Sequence, residues 1–201
     1  MSPDKDGTRG LEHAPSLREL AATLSKPKLW GNYLAHLLVF IPGAVFIGIM
    51  ARRLDRIAGL EPLLDPPWSI LVAAICFLAG ATIVGFSYGY LYLMGLGSPG
   101  AHMGHTRRLV DTGIFSLVRH PSVLGKLIGV IGLAVLMRSA SFLLVIIPLL
   151  FLYSYVTTRY IQDHYCRKNF GEEWEDYCRR VPMYIPRWGQ VREWIANRRG
   201  Q

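Results

Sequence analysis

The residues able to do chemistry gather between Leu117 and Arg187. A Leu-Val-Arg-His-Pro-x-x-x-Gly run sets Arg119, His120, Pro121 and Gly125 at the head of a long apolar stretch, and a polar, aromatic tail follows that stretch. The tail holds Arg159, Gln162, Asp163 and His164, then Phe170-Gly171, Trp174, Tyr177, Val181-Pro182 and Ile185-Pro186. Pro121 suits the first position of a helix, where its missing N–H would be unpaired in any case. A helix N-terminus beside Arg119 suits an anionic group such as a carboxylate or phosphate. The carboxylates Asp163, Glu172 and Glu173 can meet a ribose or an ammonium, and the rings of Trp174 and Tyr177 can face an adenine or a cation. His120 and His164 carry imidazoles, which can take a proton from an amine or thiol. Taken singly, Arg119 also reads as a headgroup anchor and His120 as a backbone cap.

The elements that must position these groups are apolar helices. The chain has 201 residues, 51% of them hydrophobic, and a positive mean hydropathy, which is too apolar for an ordinary soluble protein. Four segments fit a bilayer: Leu29–Met50 with an expected kink at Pro42, Trp68–Leu96, Val123–Met137 and Ala140–Thr158. The third and fourth are separated only by Arg138-Ser139 and read as a tight hairpin. The expected fold is therefore all-α and integral to the membrane, with about four transmembrane helices and amphipathic helices in a cytoplasmic C-terminal tail. Residues 1–28 form a polar cytoplasmic leader, and residues 29–201 form a single membrane domain whose chemistry lies at about 95–187.

Lys and Arg number 17 in the leader, the 97–121 loop and the tail taken together, against four in the 51–67 loop and at Arg138. The positive-inside rule then puts both termini in the cytoplasm. Most of the net charge of +8 is explained by that topology and by anionic headgroups, and the basic residues form no groove-sized face for nucleic acid. The 51–67 loop reads as a plain connector with charges of both signs. Gly80, Gly85 and Gly89 let helices approach closely. Gly95-Leu96-Gly97-Ser98-Pro99-Gly100 ends a helix at the cytoplasmic surface, with Gly97 a candidate for cofactor contact. His102 and His105 lack a nearby third ligand and the three cysteines lack paired spacing, so neither a metal site nor a disulfide scaffold is expected. Gly171 should end the helix of Tyr160–Lys168, Glu172–Arg180 should form a short helix, and Trp188–Arg199 a last amphipathic one.

Taken as an ordered set, these residues resemble the integral-membrane methyltransferases of the isoprenylcysteine carboxyl methyltransferase and phospholipid N-methyltransferase kind. The resemblance is carried by Gly97-Ser98-Pro99, Leu109-Val110-x-x-Gly113, Arg119-His120-Pro121-x-x-x-Gly125, Phe170-Gly171-x-x-Trp174-x-x-Tyr177 and Val181-Pro182-x-x-Ile185-Pro186. It implies S-adenosylmethionine as cofactor, held by Gly97, Arg119, His120, Pro121, Gly125, Gln162, Asp163 and Tyr177. The acceptor it implies is lipid-like or small and apolar: an isoprenylcysteine carboxylate, a phospholipid amine or a thiol. For methyl transfer the catalytic candidates are His120 or His164 as the base, and Arg159 facing the substrate entry. The chain differs in having Phe115 and Val123 where the family usually has Tyr, and Gln162-Asp163 for its Glu-Glu pair. The tail is also similar to the C-terminal end of the membrane sterol reductases, which implies NADPH, with Arg107, Arg108, Arg167 and Lys168 toward its extra phosphate. Length and the Gly-Ser-Pro segment favour methyl transfer. A non-catalytic membrane protein retaining the fold is the third alternative.

Overall fold

The computed structural model describes residues 15, 17–24, 27–95, 108–189 and 191–192. Among them the chain is helical, without a strand. Six helices follow in order: α1 (Leu17–Leu24), α2 (Pro27–Ile57), α3 (Trp68–Leu93), α4 (Pro121–Leu136), α5 (Phe142–Phe170) and α6 (Glu172–Arg180). A short 3-10 turn, Gly113–Ser116, precedes the Arg119-His120 segment.

Two of these helices, α3 and α5, are long and apolar enough to cross a bilayer. Their surfaces are arranged for lipid. On α3 the buried positions are Ser69, Ala73, Gly80, Val84, Ser87, Gly89 and Tyr90, while Ile70, Leu71, Ile75, Phe77 and Leu78 are exposed. On α5, Leu144, Val145, Leu149, Phe151, Leu152 and Val156 are exposed. Small residues inside and large apolar residues outside suit a membrane, whereas a soluble protein rarely leaves so much contiguous apolar surface uncovered. The two helices correspond to the second and fourth expected segments. The third, α4, has 16 residues and measures about 24 Å, short of the roughly 30 Å hydrocarbon core. The first lies within the 31-residue α2, which continues through Pro42. Most side chains of its first half fall outside the described residues, as do the leader up to residue 14 and the end of the tail from residue 193.

The tightest packing is between α3 and α4, where glycines let the backbones meet. A Cβ on Gly80 would lie 2.6 Å from the Gly125 carbonyl oxygen, one on Gly125 2.8 Å from that of Gly80, and one on Gly132 2.9 Å from Cys76 Cβ. Leu20 of α1 packs on Tyr90 with Val110 and Phe115, closing the end of α3 that faces the Arg119-His120 segment.

One expectation needs correction. Residues 51–57 are not connector but the last two turns of α2, and Asp55 there is buried. Its Oδ1 accepts the Ser141 N–H at 2.8 Å, where α5 begins, and Arg52 Nη1 donates to the Arg138 carbonyl at 3.0 Å. Arg138, at φ 55° in the turn after α4, donates through Nε to the Leu64 carbonyl at 2.8 Å and pairs with Asp65. A carboxylate at the first turn of a helix satisfies N–H groups that would otherwise be unpaired, and that contact keeps α2 helical past its apolar stretch.

Candidate active site

Asp163 is the centre of the site, and a wide turn in α5 puts it there. Residues Thr158–Gln162 form a π-helical segment, with the Asp163 N–H bonded to the Thr158 carbonyl. The extra residue per turn places Asp163 over Thr158, so both are buried, whereas an unbroken α-register would have brought Gln162 to that position. Gln162 is half-buried beside it.

Asp163 has no exposed surface. Its Oδ1 lies 3.0 Å from His120 Nε2, and its Oδ2 lies 3.3 Å from Arg119 Nη1 and 3.6 Å from Arg159 Nη1. A carboxylate taken out of water needs such partners to be tolerated. Two guanidinium groups on one carboxylate leave the cluster with excess positive charge. Arg159 is half exposed and faces outward, while the Arg119 side chain is largely buried.

The tail holds Arg119 and His120 from the other side. The Arg119 N–H donates to the Pro182 carbonyl at 2.9 Å and the His120 N–H to that of Met183 at 3.2 Å. Pro121 then begins α4 at its first turn, buried. The His120 ring lies between two aromatic edges, Trp174 at 6.2 Å and Tyr184 at 6.3 Å between centroids. Arg119 stacks over the Trp174 ring at 5.9 Å, and its Nη1 lies 2.7 Å from Cys178 Sγ. Tyr184 Oη is 2.6 Å from Thr158 Oγ1 and 2.9 Å from the Ser154 carbonyl, which ties the tail to α5 at the start of the π-turn. Burial pushes the Cys178 thiol up, against a smaller opposing pull from Arg119, and burial also pushes the phenols of Tyr177 and Tyr184 up.

The structure thus brings together Arg119, His120, Pro121, Arg159 and Asp163 from the expected set, with Gln162 beside them. It separates three others. His164 is exposed on α5 with its ring against Tyr165. Gly125 is buried in the α3–α4 crossing, one turn below His120. Tyr177 is buried with its hydroxyl donating to the Phe115 carbonyl at 2.7 Å. Gly97, His102, His105 and Arg107 lie outside the described residues. Arg167, which the reductase resemblance would set on a phosphate, pairs with Glu175 at the surface. Cys178 and Tyr184 are site neighbours missed by sequence reasoning; the helical spacing of Trp174, Tyr177 and Cys178 was the signal for the former, and nothing local signalled the latter. Among the described residues no group of three or more His, Cys, Asp or Glu is placed to hold a metal ion.

Comparison with known proteins adds the lineage. The chain is 31% identical over 125 residues to the nickel-cobalt-cadmium resistance protein NccN of Alcaligenes xylosoxydans xylosoxydans, which covers 61% of this chain and 54% of that protein. The chain therefore spans about half the length of this curated relative. No solved structure matches it. Residues 68–173, from the start of α3 to the first turn of α6, match the phospholipid methyltransferase family. That stretch contains Arg119, His120, Arg159 and Asp163 and covers more than half of the sequence, so the chain belongs to the phospholipid methyltransferase family.

Proposed function

We propose that this protein transfers a methyl group from S-adenosylmethionine to a lipid-like or small apolar acceptor at the cytoplasmic face of a membrane. The observation that carries the reading is the Arg119–His120–Asp163–Arg159 cluster, built where α4 begins and where the apolar stretch of α5 gives way to its polar end. The residues present fit the cofactor. Arg119 Nε is a buried donor without a partner, and the cluster's excess positive charge suits the carboxylate of an amino-acid moiety. In this reading Arg119, His120 and Pro121 hold that end of the cofactor, Asp163 and Gln162 lie beside it, and both termini lie in the cytoplasm of a four-span protein.

When bound, S-adenosylmethionine supplies a methyl group already activated on a sulfonium centre. The chain has then to align two reactants, exclude water and manage charge. Trp174 and Tyr184, both buried and edge-on to the His120 ring, keep water from it. Asp163 accepts from His120 Nε2–H, which fixes the tautomer and leaves Nδ1 as the proton acceptor for an amine or thiol. A carboxylate acceptor needs no base. Arg159 reaches from Asp163 toward the surface and meets the headgroup of the incoming acceptor.

The test is transfer of tritiated methyl from S-adenosylmethionine into the organic extract of nanodiscs containing the protein. The wild type should label a lipid-phase product and Arg119→Ala should lose at least a hundredfold. Equal labelling by the variant would show that the cluster is not the site.

A further inference from the structure

Trp174 packs deep in the cluster, with 3% of its surface exposed, and its indole N–H has no hydrogen-bond partner. An indole nitrogen is a donor only, so no rearrangement of hydrogens relieves it, and native folds seldom leave such a group unmade. Its neighbours show that the fold satisfies aromatic polar tips where their role is packing. Tyr177, stacked on Trp174 at 5.4 Å between centroids, gives its hydroxyl to the Phe115 carbonyl, and Tyr184 is bonded to Thr158. The exception falls on the ring that lies beside both Arg119 and His120. Arg119 Nε is a second buried donor without a partner, on a guanidinium 5.9 Å from the Trp174 ring. Filling space against Arg119 and Tyr177 requires an aromatic ring; it does not require an N–H.

We infer that Trp174 is a ligand-binding residue, whose indole N–H, together with Arg119 Nε–H, donates to carboxylate or hydroxyl oxygens of the small molecule bound at the His120–Asp163 pair. This rests on the methyl-transfer reading, under which that molecule is the cofactor. The inference stands on the two unpartnered donors and the distance between the guanidinium and the ring that carry them.

The experiment compares wild type and Trp174→Phe in detergent, by calorimetric titration with S-adenosylhomocysteine and by thermal unfolding without ligand. Phenylalanine keeps an aromatic ring against Arg119 and Tyr177 and removes the donor together with part of the indole bicycle. The expected result is binding about tenfold weaker, the loss of one hydrogen bond, with the ligand-free Tm moved by only a few degrees, because relief of the unmade donor offsets part of the lost packing. Equal affinity in the two proteins overturns the inference, whatever the Tm. Failure of the wild type itself to bind removes the methyl-transfer reading and this inference with it, an outcome distinct from equal binding. If Trp174→Phe does not fold, the indole is read directly in protein carrying Trp30→Phe, Trp68→Phe, Trp188→Phe and Trp194→Phe. Its 15N–H proton should shift downfield and exchange more slowly at saturating S-adenosylhomocysteine, and an unmoved resonance overturns the inference.

Discussion

Replacing Asp163 with Leu strips the counterion from a largely buried guanidinium, and the size of the effect can be worked from the contacts. At the 3.3 Å between Asp163 Oδ2 and Arg119 Nη1, Coulomb attraction is about 5 kcal/mol at an effective dielectric of about 20. In the intact protein, desolvation of the two ions offsets most of that attraction. With the carboxylate removed, the desolvation of Arg119 stands unopposed, for a loss of about 3–5 kcal/mol. Arg159 is 46% exposed and can turn to water or headgroups, so its share stays below about 1 kcal/mol. In a chain of this length 1 kcal/mol moves Tm by about 2–4 °C, so Asp163→Leu should lower it by on the order of 10 °C. Thermal unfolding in detergent, followed by the far-ultraviolet helical signal, reads this. The double variant Arg119→Met/Asp163→Leu removes both ions and fills the space with apolar atoms, and should return to within about 2 kcal/mol of wild type. A single-variant loss below about 1 kcal/mol would refute the reasoning, as would a double variant no more stable than the single.

Three further outcomes follow from contacts elsewhere. Gly80→Ala sets a methyl 2.6 Å from the Gly125 carbonyl oxygen and forces α3 and α4 apart, for a loss of about 1–3 kcal/mol in the same unfolding assay; a neutral substitution would show that the crossing is looser than described. Tyr177→Phe leaves the Phe115 carbonyl without its donor and should lower stability by about 1–2 kcal/mol while leaving S-adenosylhomocysteine affinity unchanged; a selective loss of affinity would return Tyr177 to the cofactor. Burial raises the Cys178 thiol above its ordinary value, with Arg119 opposing only in part. The thiolate, the reactive form, is therefore scarce at neutral pH, and iodoacetamide labelling followed by mass spectrometry should be slow at pH 7 and climb steeply above pH 9. Fast labelling at pH 7 would mean that Arg119 dominates.

Much of the frame could be read from residue types alone. The apolar runs became α3 and α5, Pro121 opens α4, and Gly171 stands at φ 56° between α5 and α6, the left-handed place that favours glycine. Arg119, His120 and Asp163 were chosen as one site, and they touch. What escaped the sequence depends on long-range contacts. The Thr-Arg-Tyr-Ile-Gln segment has no local mark of a π-turn, so nothing separated Asp163, which is buried, from Gln162, which is only half so. The charges after Met50 resemble a loop because the Ser141 N–H that Asp55 caps lies in a distant part of the chain. Gly125 fits a cofactor motif equally well as a helix crossing, and only the position of Gly80 decides between them. A hydroxyl such as that of Tyr184 carries no sign in sequence of the Thr158 it will meet.

The most direct test of the central claim is calorimetric binding of S-adenosylhomocysteine and of NADPH, side by side, to the purified protein and to Arg119→Ala. The account predicts that the wild type binds S-adenosylhomocysteine and not NADPH, and that Arg119→Ala binds at least tenfold more weakly. Binding of NADPH alone would contradict it, as would S-adenosylhomocysteine binding that does not depend on Arg119.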